Sequence, residues 1–203
     1  MPNLHDCMEP TWRDPTDEYY ATRAEEYSRA TRDLDLTMQL GLFRQELNPG
    51  AEVLDLGCGS GRDLRAMRSI SMRPVGLDRS LSLAKGAREF SGCPVVRADF
   101  HELPFADQSF DGIWAIAALL HARPHEVRPA LREVRRVVRD SGLVLTSMQL
   151  GQGEREASDG RYFALYSIDQ WAAIGNECGL RPVKSLNSGT NWFVTLFRKS
   201  TVE

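Results

Sequence analysis

The apolar positions along this chain switch between a helical and a strand period, and the switches divide it into alternating elements. Asp17 to about Thr31 is polar overall, yet Tyr20, Ala24 and Tyr27 recur at i, i+4 and i+7, on one helix face. A second helix is predicted from about Asp33 to Leu47, stopped by Asn48-Pro49-Gly50. Glu52-Val-Leu-Asp-Leu-Gly57 is a short apolar run closed by glycines and reads as a buried strand. A helix from near Gly61 carries Leu64 and Met67. Arg73 to Asp78 gives a second strand ending in an acid, and Ser80 can cap a helix to about Phe90. Cys93 to Arg97 gives a third strand and Phe110 to Ile116 a fourth.

The clearest amphipathic helix covers 124–139. Val127, Leu131, Val134 and Val138 fall at i, i+4, i+7 and i+11, with Pro124 at the start and Asp140-Ser141-Gly142 as the stop. Leu143 to Met148 is a fifth strand, followed by a Gly/Glu-rich loop over 151–161. Ser167 with Gln170 makes a capping box for a helix to Cys178, and Gly179 ends it. Strands at roughly 180–186 and 191–198 flank Asn187-Ser188-Gly189, a hairpin turn. The alternation predicts a doubly wound α/β fold: a mainly parallel seven-stranded sheet with an antiparallel C-terminal strand and helices on both faces. Ligands in such sheets lie beyond the carboxyl ends of the strands. Residues 1–203 read as a single domain, with 1–15, which holds Pro2, Pro10 and Pro15, as an irregular arm.

Composition narrows the class. The chain has 203 residues, 42% hydrophobic and 26% charged, an ordinary balance for one globular domain. A net charge of −3 supplies no global basic field, so nucleic acid is not the expected partner. Arg128, Arg132, Arg135, Arg136 and Arg139 form either a local basic rim or a solvated helix face. Cys7, Cys58, Cys93 and Cys178 fit no zinc spacing and no CxxC pair, so reduced thiols and no metal are expected. The N-terminus lacks the basic and apolar regions of a signal peptide, and no apolar run reaches transmembrane length. A cytoplasmic protein with no membrane partner is the expectation; a homodimer stays open.

The chemistry-bearing residues gather after the first strand. Asp55-Leu-Gly-Cys-Gly-Ser-Gly-Arg62 turns from strand to helix, and its glycines permit a sharp bend and close approach by a ligand. Asp78 lies 23 residues beyond Asp55, at the end of the next strand, where a carboxylate can accept from both ribose hydroxyls of a nucleoside. Asp99, at the end of the third strand, can accept from an exocyclic adenine amine. Together these describe an adenosine pocket. The spacing is G-x-G-x-G, not the G-x-G-x-x-G of dinucleotide sites. Asp55 just before the loop would repel a pyrophosphate but suits an ammonium group such as that of a methionine moiety. No Gly-Lys-Ser/Thr follows, which excludes a Walker loop. Asp55 and Asp78 are also placed to cap the helices after them, a role compatible with ligand binding. Tyr20 and Tyr27 read equally as helix packing.

Val53-Leu-Asp-Leu-Gly-Cys-Gly-Ser-Gly-Arg62 resembles the first motif of class I S-adenosylmethionine-dependent methyltransferases of the small-molecule type. Val75-Gly-Leu-Asp-Arg-Ser80 resembles the second motif and Arg97-Ala-Asp-Phe100 the third. Leu103 to Trp114 resembles the fourth-strand motif, and Tyr20-x-x-x-Ala24-x-x-Tyr27 the N-terminal signature that covers the cofactor, so that 16–48 would be covering helices. The resemblance implies S-adenosyl-L-methionine as cofactor and S-adenosyl-L-homocysteine as product. By the same resemblance Gly57 and Gly59, flanking Cys58, line the methionine and ribose, with Asp55 and Arg62 near the amino-acid end. Asp78 would bind the ribose hydroxyls with Arg79 beside the adenine. Asp99 and the backbone of Phe100 would contact the adenine, and Ala115 and Ile116 the methionine backbone. Tyr20 would lie against the sulfonium, where an aromatic face favours positive charge.

The activated methyl leaves the site chiefly an alignment task, and a base is needed only if the acceptor must lose a proton. His121 sits in the loop where family members often place an acceptor-side histidine and is the candidate base; packing or capping is its other role. His101 and His125, exposed or at a helix start, are weaker candidates, and His5 in the arm carries no signal. Gly151-Gln-Gly-Glu-Arg-Glu156 and Gly160-Arg-Tyr-Phe-Ala-Leu-Tyr166 resemble a subset of small bacterial-type members with a Gly-Glu-Gly-Glu loop, Gln152 replacing the first acid. Within this candidate lid, 151–166, Arg161, Tyr162 and Tyr166 either hold an anionic or aromatic acceptor together with His121 or anchor the loop. The Asn/Asp-Pro-Pro-Tyr motif of amine-methylating members is absent, since position 115 onward reads Ala-Ile-Ala-Ala. That favours a small-molecule acceptor over a nucleic-acid base. The remaining readings are an RNA- or protein-directed methyltransferase, a module that binds the cofactor without turnover, and, more remotely, a dehydrogenase.

Overall fold

The computed structural model describes residues 14–187 and 189–201. Its helices are α1 (Pro15–Thr22), α2 (Ala24–Thr31), α3 (Thr37–Arg44), α4 (Arg62–Ser69), α5 (Leu81–Ser91), α6 (Pro124–Val137) and α7 (Ile168–Glu177), plus one 3-10 turn, Leu119–His121. Its strands are β1 (Glu52–Leu56), β2 (Arg73–Asp78), β3 (Val95–Arg97), β4 (Phe110–Ala115), β5 (Val138–Leu150), β6 (Gly153–Glu156), β7 (Tyr162–Tyr166), β8 (Leu180–Asn187) and β9 (Trp192–Lys199). Most of the expected arm, together with His5, Cys7 and Ser188, lies outside the described residues.

The main sheet runs β3-β2-β1-β4-β5-β9-β8, with β9 antiparallel to both of its neighbours. Parallel strands covered on both faces must be apolar on both, and the central strands are. Leu54, Leu56, Ile113 and Val144 face a core completed by Val127, Leu131 and Val134 of α6 and Trp171 of α7. Val53, Trp114, Leu143 and Leu145 face the opposite layer, with Phe43 of α3 and Met67 of α4. The Ser167–Gln170 capping box is present, and Ser80 Oγ caps α5 by accepting from the Leu83 amide at 3.3 Å.

Several boundaries differ from expectation for local reasons. Pro15, read as part of the arm, starts α1; Asp14 caps it, its carboxylate accepting from the Thr16 amide at 2.9 Å. The helix expected over 17–31 breaks at Arg23, whose φ of −114° is not helical. Helix α6 ends at Val137 rather than at residue 139. Asp140-Ser141-Gly142, expected as the helix stop ahead of a strand from Leu143, lies within β5, where the register against β4 shifts and Ser141 takes a φ of 61°.

The largest correction concerns 151–166. It is a β-hairpin, with Glu154, Arg155 and Glu156 paired to Ala164, Phe163 and Tyr162. Polar, exposed β6 is an edge strand, and its Glu-Arg-Glu sequence hid it. Strand β7 pairs in parallel with Gln149 and Leu150, while Gln149 is also paired with Trp192 of β9. A strand has two hydrogen-bonding edges, so β7 must use the edge that β4 uses lower down. The hairpin therefore roofs the carboxyl end of β4, above the switch point of the sheet. Among the described residues, no helix is long and apolar enough to cross a membrane.

Candidate active site

The turn after β1 is built from its glycines. The amides of Gly57 and Cys58 both donate to the Leu77 carbonyl, at 2.8 and 2.9 Å, folding the chain back over β2. Gly57 has a φ of 74°, and a Cβ there would stand 2.8 Å from the Ala118 Cβ. Gly59 has a φ of 51°, and its Cβ would press to 3.1 Å on the Tyr27 ring. Only residues without a side chain leave this narrow cradle open. Helix α4 starts at once, and Arg62 in its first turn forks onto Asp63 at 2.6 and 2.9 Å while donating to the Thr31 carbonyl at 2.9 Å. Asp63 also accepts from the Trp114 indole at 2.9 Å. Arg62 thus fastens the C-terminal end of α2 over the loop.

The acids lie on both sides of the turn. Asp78 is 8% exposed; its two oxygens accept from the Gly59 and Ser80 amides, each at 2.9 Å. Burial pushes this carboxyl up to about 6 against those amide hydrogen bonds. Asp55 is 2% exposed and lies on the same face of β1 as Val53, beneath the loop. Its Oδ2 has no hydrogen-bond partner. Burial, reinforced by Asp63 and Asp78 and opposed by Arg62, raises its carboxyl well above the usual range. Burial likewise raises the Cys58 thiol.

Two cavities adjoin across the glycine turn, and both are lined by Tyr20, Tyr27, Gly57, Gly59 and His121. The smaller, about 450 Å³, reaches Asp78, Arg79, Asp99 and Phe100. Arg79 bridges Asp17 at 3.0 Å and Asp99 at 3.3 Å, and Asp99 also accepts from the His101 amide and ring. The larger, about 640 Å³, is lined by Cys58, Arg62, Ile116, Arg161 and Phe163, with Ser147 and Gln149 from the end of β5. Of the residues singled out in the sequence, Asp55, Ala115, Tyr162 and Tyr166 line neither cavity. Ala115 is buried in the sheet, and the half-buried Ile116 and Ala117 beyond it line the larger cavity. The Tyr162 ring lies under Arg123, 4.7 Å away, and the Tyr166 ring lies 5.3 Å from that of Trp171. Among the described residues no cluster of three or more His, Cys, Asp or Glu is arranged to hold a metal ion.

His121 stands where the cavities meet. Its Nδ1 lies 2.8 Å from the Tyr162 carbonyl and its Nε2 2.9 Å from the Tyr20 hydroxyl. A carbonyl can only accept, so Nδ1 carries the proton and Nε2 accepts from Tyr20. Burial lowers this histidine to about 4, which keeps it neutral near pH 7. The adjoining hairpin brings in residues that the sequence reading missed. Arg155 lines the larger cavity, with its guanidinium 4.6 Å from the Phe163 ring centroid and donating to Gln149 Oε1 at 3.0 Å. Asp159-Gly160, a turn-forming dipeptide just before the apolar run Tyr162–Tyr166, was the signal that could have revealed them.

The residues present fit a sulfonium nucleoside. A side-chain-free cradle joins a pocket bearing a buried ribose-type acid to a larger one. Among the described residues no unpaired cation stands at the turn to receive a pyrophosphate, because Arg62 is spent on Asp63. Comparison with known proteins agrees. Residues 54–146 match a family model described as "Methyltransferase domain". A putative methyltransferase of Encephalitozoon cuniculi is 36% identical over 129 residues, covering 63% of this chain and 55% of that protein. A probable tRNA methyltransferase 9B of Mus musculus is 36% identical over 104 residues, 51% of this chain and 23% of that one. The 1,6-didemethyltoxoflavin-N1-methyltransferase of Burkholderia thailandensis, solved with 1,6-didemethyltoxoflavin and S-adenosylhomocysteine bound, superposes with a TM-score of 0.72 at 19% identity, over 98% of this chain and 99% of that one. The chain spans about half the length, or less, of the curated relatives it matches. Over residues 54–146 the chain is therefore similar to methyltransferase domains, and its fold as a whole is that of a methyltransferase solved with S-adenosylhomocysteine bound.

Proposed function

We propose that this chain transfers the methyl group of S-adenosylmethionine to a small-molecule acceptor held in the larger cavity. The observation that carries this reading is the meeting of the two cavities at Gly57, Gly59, Tyr20 and His121. The smaller cavity would take the adenosine: Asp78 the ribose hydroxyls, Arg79, Asp99 and Phe100 the adenine. The methionine would run past Gly57 and Gly59 toward Cys58, Arg62 and Ile116, with Asp55 acting through the loop from beneath. When bound, the cofactor supplies a methyl activated by a positive sulfur. The Tyr20 ring would face that charge, and α1 to α3 would cover the site within one domain.

The acceptor half is roofed by sheet, which suits a molecule that fits inside. Three of the arginines that might have made a basic rim are paired with carboxylates: Arg128 with Glu177, Arg136 with Glu133 and Asp107, Arg139 with Asp111 and Glu52. That pairing weighs against an RNA-directed reading. Because the Tyr20 hydroxyl donates to His121, its oxygen is left to accept; Arg161 takes one share of that capacity, and a hydrogen bond from the acceptor would take the other and so orient the attacking atom. As that atom gains the methyl it becomes cationic and acidic. Even a weakly basic imidazole can then take the released proton, through the Tyr20 oxygen to His121 Nε2.

The test incubates the protein with methyl-labelled cofactor and either a macromolecule-free metabolite extract or total RNA. Label is expected in the small-molecule fraction. Label confined to RNA would reassign the acceptor, and label in neither would leave a cofactor-binding module.

A further inference from the structure

We infer that the acceptor carries a carboxylate and that Arg155 binds it; this rests on the methyltransferase reading and names the substrate class for the same site. Three guanidinium groups line the larger cavity: Arg62, Arg155 and Arg161. Arg62 is forked onto Asp63. Arg161 is held by Asp159 at 2.7 Å and lies over the Tyr19 ring at 4.2 Å. Arg155 has no carboxylate within ion-pair distance among the described residues. Among the described residues its Nη2 alone has a hydrogen-bond acceptor, the Gln149 side chain, and Nε and Nη1 have none.

Its position is nevertheless fixed. Gln149 at the end of β5 holds one edge, and the Phe163 ring supports the guanidinium face. A planar cation held on two sides with two donors spare is suited to a carboxylate fork. The cavity's own acids do not compete. Asp63 is taken by Arg62 and Trp114, and Asp35, exposed at the mouth, accepts from the Thr37 amide at 2.8 Å. The other walls include Leu120, Phe163, Trp192 and Val194, so the ligand expected is an apolar body bearing one acid group.

The test is a screen of small carboxylic acids and their matched primary amides by thermal shift, on protein loaded with S-adenosylhomocysteine. Acids should dominate the hits on the wild type. In R155Q the best acid should lose roughly ten- to a hundredfold in affinity, while its amide and S-adenosylhomocysteine bind as before. R155K, which keeps the charge but not the fork, should recover part of that loss. Equal acid and amide hits on the wild type, zero included, would overturn the inference. So would an R155Q variant that loses S-adenosylhomocysteine itself, since the arginine would then serve the cofactor's carboxylate. Wild-type protein that does not bind S-adenosylhomocysteine would fail before the screen begins, which separates failure of the functional reading from failure of the carboxylate assignment.

Discussion

Asp78 combines two demands that pull against each other: it ties the glycine turn to β2, and it faces the smaller cavity. Burial raises its carboxyl to about 6, so acidification through pH 6 protonates it in the free protein. If the ionised form grips ribose hydroxyls, binding pulls the proton off. S-adenosylhomocysteine affinity should then fall as pH drops below about 6. D78N should bind about 1–3 kcal/mol more weakly at pH 7.5 and lose this pH dependence, both readable by calorimetry. An unchanged affinity in a folded D78N would remove Asp78 from the site. The His121 pKa is shifted the other way, downward. Its folded-state value of about 4 lies below the ordinary 6.5, so the unfolded chain binds the proton more readily between those values. Its contribution to stability is therefore present above 6.5 and is lost as pH falls toward 4. H121Q should flatten that part of the denaturation profile. It should also slow turnover while leaving S-adenosylhomocysteine affinity intact; wild-type rates would reduce His121 to scaffold. Asp78, Gly57 and His121 could be picked from sequence because each sits at a fixed offset from a strand end. Asp63 and Arg155 could not, because their roles come from contacts across the fold.

At the scale of elements, legibility followed burial. Strands β1, β2 and β4 and helix α7 were readable because their apolar runs and caps are local signals. The β6–β7 hairpin was not, because only β7 has buried positions and β6, Gly-Glu-Arg-Glu, is exposed along its whole length. Close packing sets another kind of limit. Gly175 on α7 lies so near the Phe197 ring of β9 that an added Cβ would overlap it. G175A should cost roughly 1–3 kcal/mol in urea unfolding, although alanine is the better helix former. A neutral or stabilising effect would mean that α7 can lift from the sheet without penalty.

For the molecule as a whole, alternation of strands and helices was enough to foresee a doubly wound sheet, because connectivity and handedness leave few alternatives. The extra strands and the break at Arg23 arise from tertiary packing and escaped it. Saturation with the product cofactor should stabilise the whole unit. At a hundred times its Kd, S-adenosylhomocysteine adds about 2.7 kcal/mol, which for a chain of this size raises Tm by roughly 5–10 °C. A Tm that does not move at saturating concentration would count against the adenosine pocket.

The placement of β7 on the upper edge of β5 also decides how traffic reaches the interior. To swing the roof aside, the chain would have to tear ladder hydrogen bonds at Gln149 and Leu150. Helices α1 and α2, by contrast, bury little besides Thr16 and are fastened by single side-chain links such as Thr16 to the Tyr162 amide and Ser80 to the Tyr20 carbonyl. Breathing should therefore be fastest on the helical flank. Amide deuterium uptake should be rapid over 15–31 and slow over 162–166, with product escaping through the helical doorway.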